Sequence, residues 1–433
     1  MFTRKTLLIL SIFIMAISVM ALKSLVYPPF KHTWGITKGT EAKLDMLLGS
    51  ATDFDNPQGV AVTRLLAWDD KKESKDDDEL AAYGVNSGRD QIIYNTSMYS
   101  LGLYGSTGSG RDQFRRPRGI SADPKGEVFV CDTGNKRVVK LFNNGKELVW
   151  ADVIGDGLLE EPHDVAVTEA ETLFVTDRAR GTIEIFTYDG DHVGSLPGFV
   201  NPRGIAVDHP KMTKTRYGYR RIYLADADGE ILRSMDYDGK IRASINLRDI
   251  SSANSAVKYV ALDFYNNLWA TDSAVCRIHK FDKDLEYITS IGECGGKDYE
   301  FNHPVGIAIW RRFGQVVVGE SDCAQYFWIG TDVKKFEAKV GSDREDNQIV
   351  KIDMFLTDGT YAQIEVLSGN EVVRQIYEQK RLRQGAVTVN WDMKDNAGKR
   401  VPPGKYTIRM VYQPTYSSYG FFDDEIKTEV EIE

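Results

Sequence analysis

Residues 114–142 read FRRPRGISADPKGEVFVCDTGNKRVVKLF, and this stretch decides the fold. A Pro-x-Gly turn at residues 117–119 leads into a short apolar strand, and a second strand ends at Asp132. Small and polar turn residues follow, and a third strand begins at Arg137. The stretch therefore predicts three consecutive short strands joined by tight turns.

The phrase that opens this stretch recurs along the first three quarters of the chain. Its Gly position, or the residue that replaces Gly, returns at intervals of 60, 45, 40, 55 and 47 residues. Intervals of this length built from strands indicate propeller blades. Six units of four strands predict a six-bladed β-propeller over residues 42–332. The six copies are NPQGVAV (56–62), RPRGISA (116–122), EPHDVAV (161–167), NPRGIAV (201–207), VKYVAL (257–262) and HPVGIAI (303–309).

Two further features of the repeat bear on how the ring is built. The segment AKLDMLLG, residues 42–49, is strand-like and precedes the first phrase, so we expect it to complete blade six and fasten the two ends together. The second strand of each unit ends in an acidic residue, and Asn95 is expected to take that place in blade one. The acidic residues are Asp132, Asp177, Asp226, Asp272 and Glu320.

The wording of the repeat resembles the NHL family of propellers. In that family a Phe precedes the Pro-x-Gly phrase, and the chain has Phe54, Phe114, Phe199 and Phe301 there, with Leu159 in blade three. The resemblance implies a six-bladed ring with its central channel lined by the innermost strands.

The last hundred residues, 334–433, carry a different pattern. Alternating apolar and polar residues in short runs divided by turns predict an immunoglobulin-like β-sandwich. The segment VNWDMKDNAGKRVPPGKYTIRM, residues 389–410, resembles the immunoglobulin-like domain of the flagellar-hook capping protein. That resemblance implies a spacer or contact module. The matching residues are Trp391, Asp392, Asp395, Gly398, Val401, Pro402, Gly404 and Tyr406.

The N-terminus indicates the compartment. Arg4 and Lys5 precede an uncharged apolar stretch at residues 6–22, so residues 1–23 are either a secretory signal peptide or an apolar helix that anchors the chain in a membrane. Both alternatives put the propeller outside the cytoplasm, in the periplasm, at the cell surface or secreted. The net charge of −9 argues against nucleic acid as a partner.

The four cysteines fit a non-reducing compartment, because their even number permits disulfides. Cys276, Cys294 and Cys323 fall in loops on one face of blades five and six, so a bridge is expected among them. Cys131 ends a strand and is expected to be a free buried thiol.

The variable residue of each Pro-x-Gly phrase is the best candidate to face the channel. Cations at this position would favour an anionic ligand such as a carboxylate, a sulfate or an acidic sugar. The alternative is that these side chains satisfy carbonyls or the acids that end the second strands. The candidate ligand-binding residues are Gln58, Arg118, His163, Arg203 and Lys258, with Val305 at the sixth position.

Catalytic and metal chemistry have weaker support in the sequence. A catalytic zinc generally has three protein ligands, and the ring of variable phrase residues supplies only His163. We therefore assign no catalytic residue, metal or cofactor.

Three functions remain open on this reading. The first is a non-enzymatic extracytoplasmic binding or scaffold protein whose propeller faces and C-terminal sandwich contact protein or glycan partners. The second is a metal-dependent, lyase-like or lactonase-like propeller enzyme acting in the channel. The third is a structural subunit of an envelope assembly attached to the membrane through residues 6–22.

Overall fold

The structure is a computed structural model and describes residues 23–28, 37–69, 80–97, 100–168, 170–208, 220–251 and 254–433. Residues 1–22 of the predicted signal peptide or anchor and most of the acidic run after Asp69 lie outside the described residues. No helix in the described ranges is long and apolar enough to cross a membrane.

Six antiparallel sheets form the predicted propeller, which confirms the all-β fold class. In each sheet the strand that follows the recurrent phrase lines the channel. Before blade one come β1 (Leu25–Val26) and β2 (Lys38–Thr40). Blade one has β3 (Pro57–Arg64), β4 (Leu80–Asn86), β5 (Gln91–Ser97) and β6 (Ser100–Tyr104), and blade two has β7 (Ile120–Ala122), β8 (Glu127–Asp132), β9 (Arg137–Asn143) and β10 (Leu148–Ile154). Blade three has β11 (Pro162–Val167), β12 (Thr172–Asp177), β13 (Thr182–Thr187) and β14 (His192–Pro197), and blade four has β15 (Ile205–Val207), β16 (Arg221–Asp226), β17 (Ile231–Asp236) and β18 (Ile241–Asn246). Blade five has β19 (Val257–Leu262), β20 (Leu268–Asp272), β21 (Arg277–Phe281) and β22 (Tyr287–Ile291), and blade six has β23 (Ile307–Trp310), β24 (Gln315–Gly319) and β25 (Cys323–Ile329).

The ring is closed by the first strands of the chain. Strand β25 pairs with β1, which aligns Leu25 with Ile329, and with β2, which aligns Lys38 with Gln325. The prediction that residues 42–49 supply this strand is wrong, since they form helix α1 (Glu41–Leu48). Ala, Leu, Lys and Met favour helix, and strands β1 and β2 already occupy the outer edge of blade six.

Short 3₁₀ helices account for the other helical turns of the described residues. One continues from α1, and the others lie in the turns between strands of blades one, two and four or just after blade four. They are Gly49–Ala51, Leu66–Trp68, Ser87–Arg89, Thr133–Asn135, Ala227–Gly229 and Leu247–Asp249.

The recurrent Gly allows neighbouring inner strands to approach closely. A Cβ on Gly119 would lie 2.4 Å from Cα of Asp164 in the next blade, and one on Gly306 would lie 2.5 Å from the carbonyl oxygen of Gln58. Gly119 also donates its backbone N–H to the carbonyl of His163, at 2.8 Å. The phrase therefore needs Gly for contact between blades, and not for a left-handed backbone.

The residues that end the second strands hold the loops that lead into the inner strands. Asp132 accepts the backbone N–H of Arg115 at 2.7 Å, and Asp226 accepts that of Val200 at 2.7 Å. In blade one this role belongs to Asn86, which accepts the N–H of Asp55 at 2.8 Å. The assignment of Asn95 was wrong, because Asn95 lies within the third strand, β5.

The C-terminal residues form the predicted sandwich of a three-stranded and a four-stranded sheet. Its core surrounds Trp391 and Tyr406, whose ring centroids are 5.5 Å apart. The strands are β26 (Val333–Ser342), β27 (Gln348–Leu356), β28 (Thr360–Ser368), β29 (Glu371–Leu382), β30 (Gly385–Trp391), β31 (Gly404–Pro414) and β32 (Asp424–Ile432).

The propeller and the sandwich are joined by a buried ion pair. The ammonium of Lys280, in blade five, donates to Asp358 of the sandwich at 2.5 Å and to the carbonyl of Thr357 at 3.1 Å. It also lies 3.7 Å from Asp263 and 4.5 Å from the centroid of the Trp269 ring. All three charged side chains are fully buried, so the two domains share an internal electrostatic contact.

The expected bridge among Cys276, Cys294 and Cys323 and the free thiol of Cys131 are confirmed, but Cys323 begins strand β25 and does not lie in a loop. Cys276 and Cys294 form a disulfide in blade five, whereas Cys131 and Cys323 are buried free thiols.

Candidate functional site

The predicted ring residues lie where the inner strands begin, at the end of the channel that we call the upper mouth. Arg118, Arg203 and Lys258 are half-buried there, and Gln58 and His163 are buried. Charge interactions link His163 to all three cations. Val305, at the sixth ring position, is instead buried in a hydrophobic cluster.

The ring of Tyr259 closes the channel at this end. Its centroid lies 5.4 Å from that of the His163 imidazole, and its hydroxyl donates to Oε1 of Gln58 at 3.4 Å. The three side chains come from blades five, three and one, and they are 3%, 1% and 5% exposed. Alternate blades thus meet across the channel and shut out solvent.

Four cations surround this closure: Arg118, Arg178, Arg203 and Lys258. Burial and these four charges hold the pKa of His163 well below its usual range, so the imidazole is neutral. Burial, Arg203 and Arg118 also lower the pKa of Lys258.

Acidic side chains compensate only part of this charge. Arg178 contacts Glu161 at 3.0 Å and Asp228 at 2.8 Å, and Arg203 reaches the same Asp228 oxygen at 3.2 Å. Within the described part of the chain, neither Arg118 nor Lys258 has an acidic partner. In the described ranges, four cations against two carboxylates leave a net charge of +2.

Sequence reasoning missed three residues of this site. Arg178 follows the acid that ends β12, and Asp228 lies two residues after the acid that ends β16. The residues just after each second strand could therefore have been predicted to lie at the upper mouth. Tyr259 was visible as a departure from the Gly that stands at this position in four of the six blades. A large side chain at a position where neighbouring inner strands approach closely indicates a group that points into the channel.

The strand-end acids do not take part in the site. Asp132 pairs with Arg137 at 2.9 Å, Asp226 with Arg233 at 2.7 Å and Asp272 with His279 at 3.3 Å. Among the described residues no ring side chain contacts them. The part of the alternative in which the ring side chains satisfy these acids is therefore wrong. A contact to a carbonyl does occur, since the Gln58 amide donates to the carbonyl of Asn56 at 3.5 Å.

Among the residues that the structure describes, metal ligands do not converge at the upper mouth. His192 pairs with Glu184, and His32 and His209 lie outside the described residues. The described ranges hold one group of three donors, Glu320, Asp322 and Cys323, near the outer part of blade six. Glu320 accepts from the N–H of Asn302 at 2.5 Å and from Gln325 at 2.6 Å, so both of its oxygens already take part in hydrogen bonds that join the loop before blade six to β25.

Below Tyr259 the channel holds a cavity of about 150 Å³ lined by the inner strands. Asp164 of blade three lies at its upper end, where it accepts the N–H of Ile205 at 2.9 Å and that of Val165 at 2.9 Å. Burial raises the pKa of Asp164 to about 8, so this carboxyl is mostly protonated at neutral pH.

Comparison with known proteins agrees with both domains. The NHL repeat model matches residues 114–141, and the FlgD Ig-like domain model matches residues 346–415. The chain is therefore a six-bladed propeller with an NHL repeat, followed by a FlgD-type immunoglobulin-like domain. No curated protein matches it.

Similar solved structures are propeller proteins. Virginiamycin B lyase from Staphylococcus aureus is 13% identical with a TM-score of 0.41, over 57% of this chain and 76% of the lyase. A gluconolactonase from Xanthomonas campestris is 12% identical with a TM-score of 0.46, over 72% of this chain and 99% of that protein. PorZ, a surface component of the type-IX secretion system of Porphyromonas gingivalis, is 12% identical with a TM-score of 0.46, over 90% of this chain and 54% of PorZ.

Proposed function

We propose that this protein is a non-enzymatic, extracytoplasmic binding protein that holds an anionic group of its ligand at the upper mouth. The observation that carries the proposal is the uncompensated positive charge around Arg118 and Lys258. The planar guanidinium of Arg118 can take a carboxylate or a sulfate in two parallel hydrogen bonds. A net charge of +2 suits a ligand with two negative charges, such as an acidic disaccharide or a pair of acidic side chains on a protein.

The neighbouring groups favour binding over catalysis. His163 and Tyr259 are buried and neutral, since burial lowers the pKa of the first and raises that of the second well above its usual range. Neither can exchange a proton readily with a ligand in the mouth. The closed channel also keeps a ligand at the surface, where the half-buried cations are.

Calorimetric titration of the full chain with sulfate, malonate and digalacturonate at low salt tests this function. We expect the dianions to bind, with an affinity that falls as ionic strength rises. Arg118→Gln and Lys258→Gln should each weaken binding, and the double variant should abolish it. Arg383→Gln, which changes an exposed Arg of the sandwich, is the control and should bind like the wild type.

Two outcomes would contradict this function. One is equal binding of a dianion by the wild type and by the double variant. The other is chemical conversion of a bound anion, which would make the protein an enzyme.

The proposed compartment is supported by the pairing of Cys276 with Cys294. Such a bridge persists in non-reducing compartments. The bridge closes a loop of 18 residues, so its removal should cost about 3 kcal/mol. Alkylation and mass spectrometry of the native protein should find these two cysteines blocked and Cys131 and Cys323 free after denaturation. Four free thiols would contradict export.

A further inference from the structure

A larger pocket lies at the opposite end of the channel, the lower mouth, where the inner strands end. Its volume is about 780 Å³, and it is lined by turns of blades one, two, three, five and six. Arg311 borders both this pocket and the channel cavity above it. Sites for small molecules commonly have volumes of about 300–1,000 Å³. The pocket therefore has the size of a ligand site.

The two sides of the pocket differ in chemistry. Blades five and six contribute an aromatic wall of Phe264, Trp310 and Phe313. The turns of blades one to three contribute a charged rim that includes Arg64, Lys125 and Glu171.

Three cations that line this mouth have acidic partners among the described residues, unlike Arg118 and Lys258 at the upper mouth. Arg64 pairs with Asp69 at 2.6 Å, and Lys125 pairs with Glu171. The guanidinium of Arg311 lies 3.5 Å from Asp208. Arg312, which also lines the pocket, lies over the Phe313 ring with its guanidinium carbon 5.0 Å from the ring centroid. Because Arg64, Lys125 and Arg311 have acidic partners, most of the described positive charge at this mouth is compensated.

The sandwich braces the aromatic wall from behind. The N–H of Ser417 donates to the carbonyl of Phe313 at 3.3 Å, and the Tyr416 ring lies where a Cβ on Gly314 would meet it at 2.5 Å. Next to Phe264, Tyr265 bonds to Thr415 at 2.6 Å. Contacts from a second domain hold this wall in place before a ligand arrives, which lowers the cost of binding.

We propose that the lower mouth binds neutral sugar rings of a glycan. A pyranose ring has an apolar C–H face, which fits against Trp310 and Phe313. Its hydroxyl edge can bond to the charged rim formed by Arg64, Lys125 and Glu171. The proposal does not depend on the function of the upper mouth.

The test is calorimetric titration of the full chain with maltotriose, cellotriose, chitotriose and trigalacturonate. At least one neutral trisaccharide should bind more tightly than trigalacturonate in 0.5 M salt. Trp310→Leu and Phe313→Leu should each weaken that binding by about three- to tenfold, because they remove ring stacking but keep apolar volume. Phe142→Leu, which changes an exposed aromatic residue of blade two, is the matched control.

Variants of the two mouths separate the two proposals. Arg118→Gln and Lys258→Gln should leave saccharide binding unchanged, and Trp310→Leu should leave dianion binding unchanged. The glycan proposal fails if no neutral saccharide binds, or if a binding saccharide is held equally by both Leu variants with native circular dichroism. It also fails if an aromatic peptide binds at Trp310 and the saccharides do not.

Discussion

The imidazole of His163 stacks against the phenol ring of Tyr259 with a centroid distance of 5.4 Å, although the two residues belong to blades three and five. Tyr259 stands at the Gly position of the blade-five phrase, and its side chain spans the channel. It separates a cationic surface above from a small internal cavity below.

Truncation of this side chain tests the closure. Tyr259→Ala should lower the free energy of unfolding by about 3–5 kcal/mol, because it removes a buried ring. Tyr259→Phe keeps the stack on His163 and loses one long hydrogen bond to Gln58, so we expect a loss of about 1 kcal/mol. Denaturant unfolding measures both values. Equal losses would show that the hydroxyl, and not the ring, carries the stability.

Two Gly→Ala variants test the close contact between the inner strands of neighbouring blades. Gly119→Ala should destabilise the protein by about 1–3 kcal/mol, because its Cβ would overlap the backbone of Asp164. Gly194→Ala, on the outer strand of blade three, has open space and should be neutral or slightly stabilising. Melting temperatures of the two variants give the comparison. An unchanged melting temperature for Gly119→Ala would show that the inner strands can accommodate a Cβ at this position.

The buried carboxyl of Asp164 predicts a pH dependence of stability. In the unfolded chain this group loses its proton near pH 4, whereas in the folded protein its pKa is about 8. The folded state therefore binds more protons between these values, and its stability falls as the pH rises from about 4 to 8. The contribution is on the order of 5 kcal/mol.

Substitution with Asn isolates this contribution. The free energy of unfolding of Asp164→Asn, measured from pH 4 to 8, should decline less than that of the wild type. Asp156→Asn, at an exposed position, should follow the wild type throughout. Parallel curves for wild type and Asp164→Asn would show that this carboxyl is ionised in the folded protein.

The buried ion pair between the domains predicts that removing its cation lowers the stability strongly, and that removing an acid as well restores part of it. Lys280→Met leaves Asp358 and Asp263 buried without their cation, which should cost about 3–5 kcal/mol. Adding Asp358→Leu should restore part of the loss. Lys399→Met, at an exposed site, serves as the control in the same thermal unfolding series. Additive losses in the double variant would argue against coupling.

Most of the propeller could be predicted because the inner strands meet the same packing requirement in four of the six blades. Close approach needs Gly at one position, and a tight turn needs Pro two residues earlier. The errors arose where that requirement is absent. Residues 42–49 are a short segment of apolar residues interrupted by Lys43 and Asp45, which periodicity alone does not assign to strand or helix. They do not add a strand to blade six, because β1 and β2 already occupy its outer edge. In blade one a long connection separates β3 from β4, so the spacing from the phrase does not identify Asn86 as the residue that ends the second strand.

The site could be predicted only in part. Arg118, Arg203 and Lys258 occupy one position of the repeat, so the phrase places them together. Arg178 and Asp228 depend on how neighbouring blades align their loops, and the stack on His163 depends on a side chain that crosses from blade five. Such contacts between distant parts of the chain are set by the closed ring, and no local pattern encodes them.

Closure by β1 and β2 sets an order of events during synthesis. Ser24 forms its hydrogen bond to Asp332 across 308 residues of chain, and β25 is the last propeller strand to be made. At about 5–20 residues per second the first strands wait about 15–60 s for their partner. During that interval their backbone edges are unpaired and open to other chains. A chain that stops before blade six would keep those edges exposed, so its fate is aggregation or proteolysis, and not a smaller working ring.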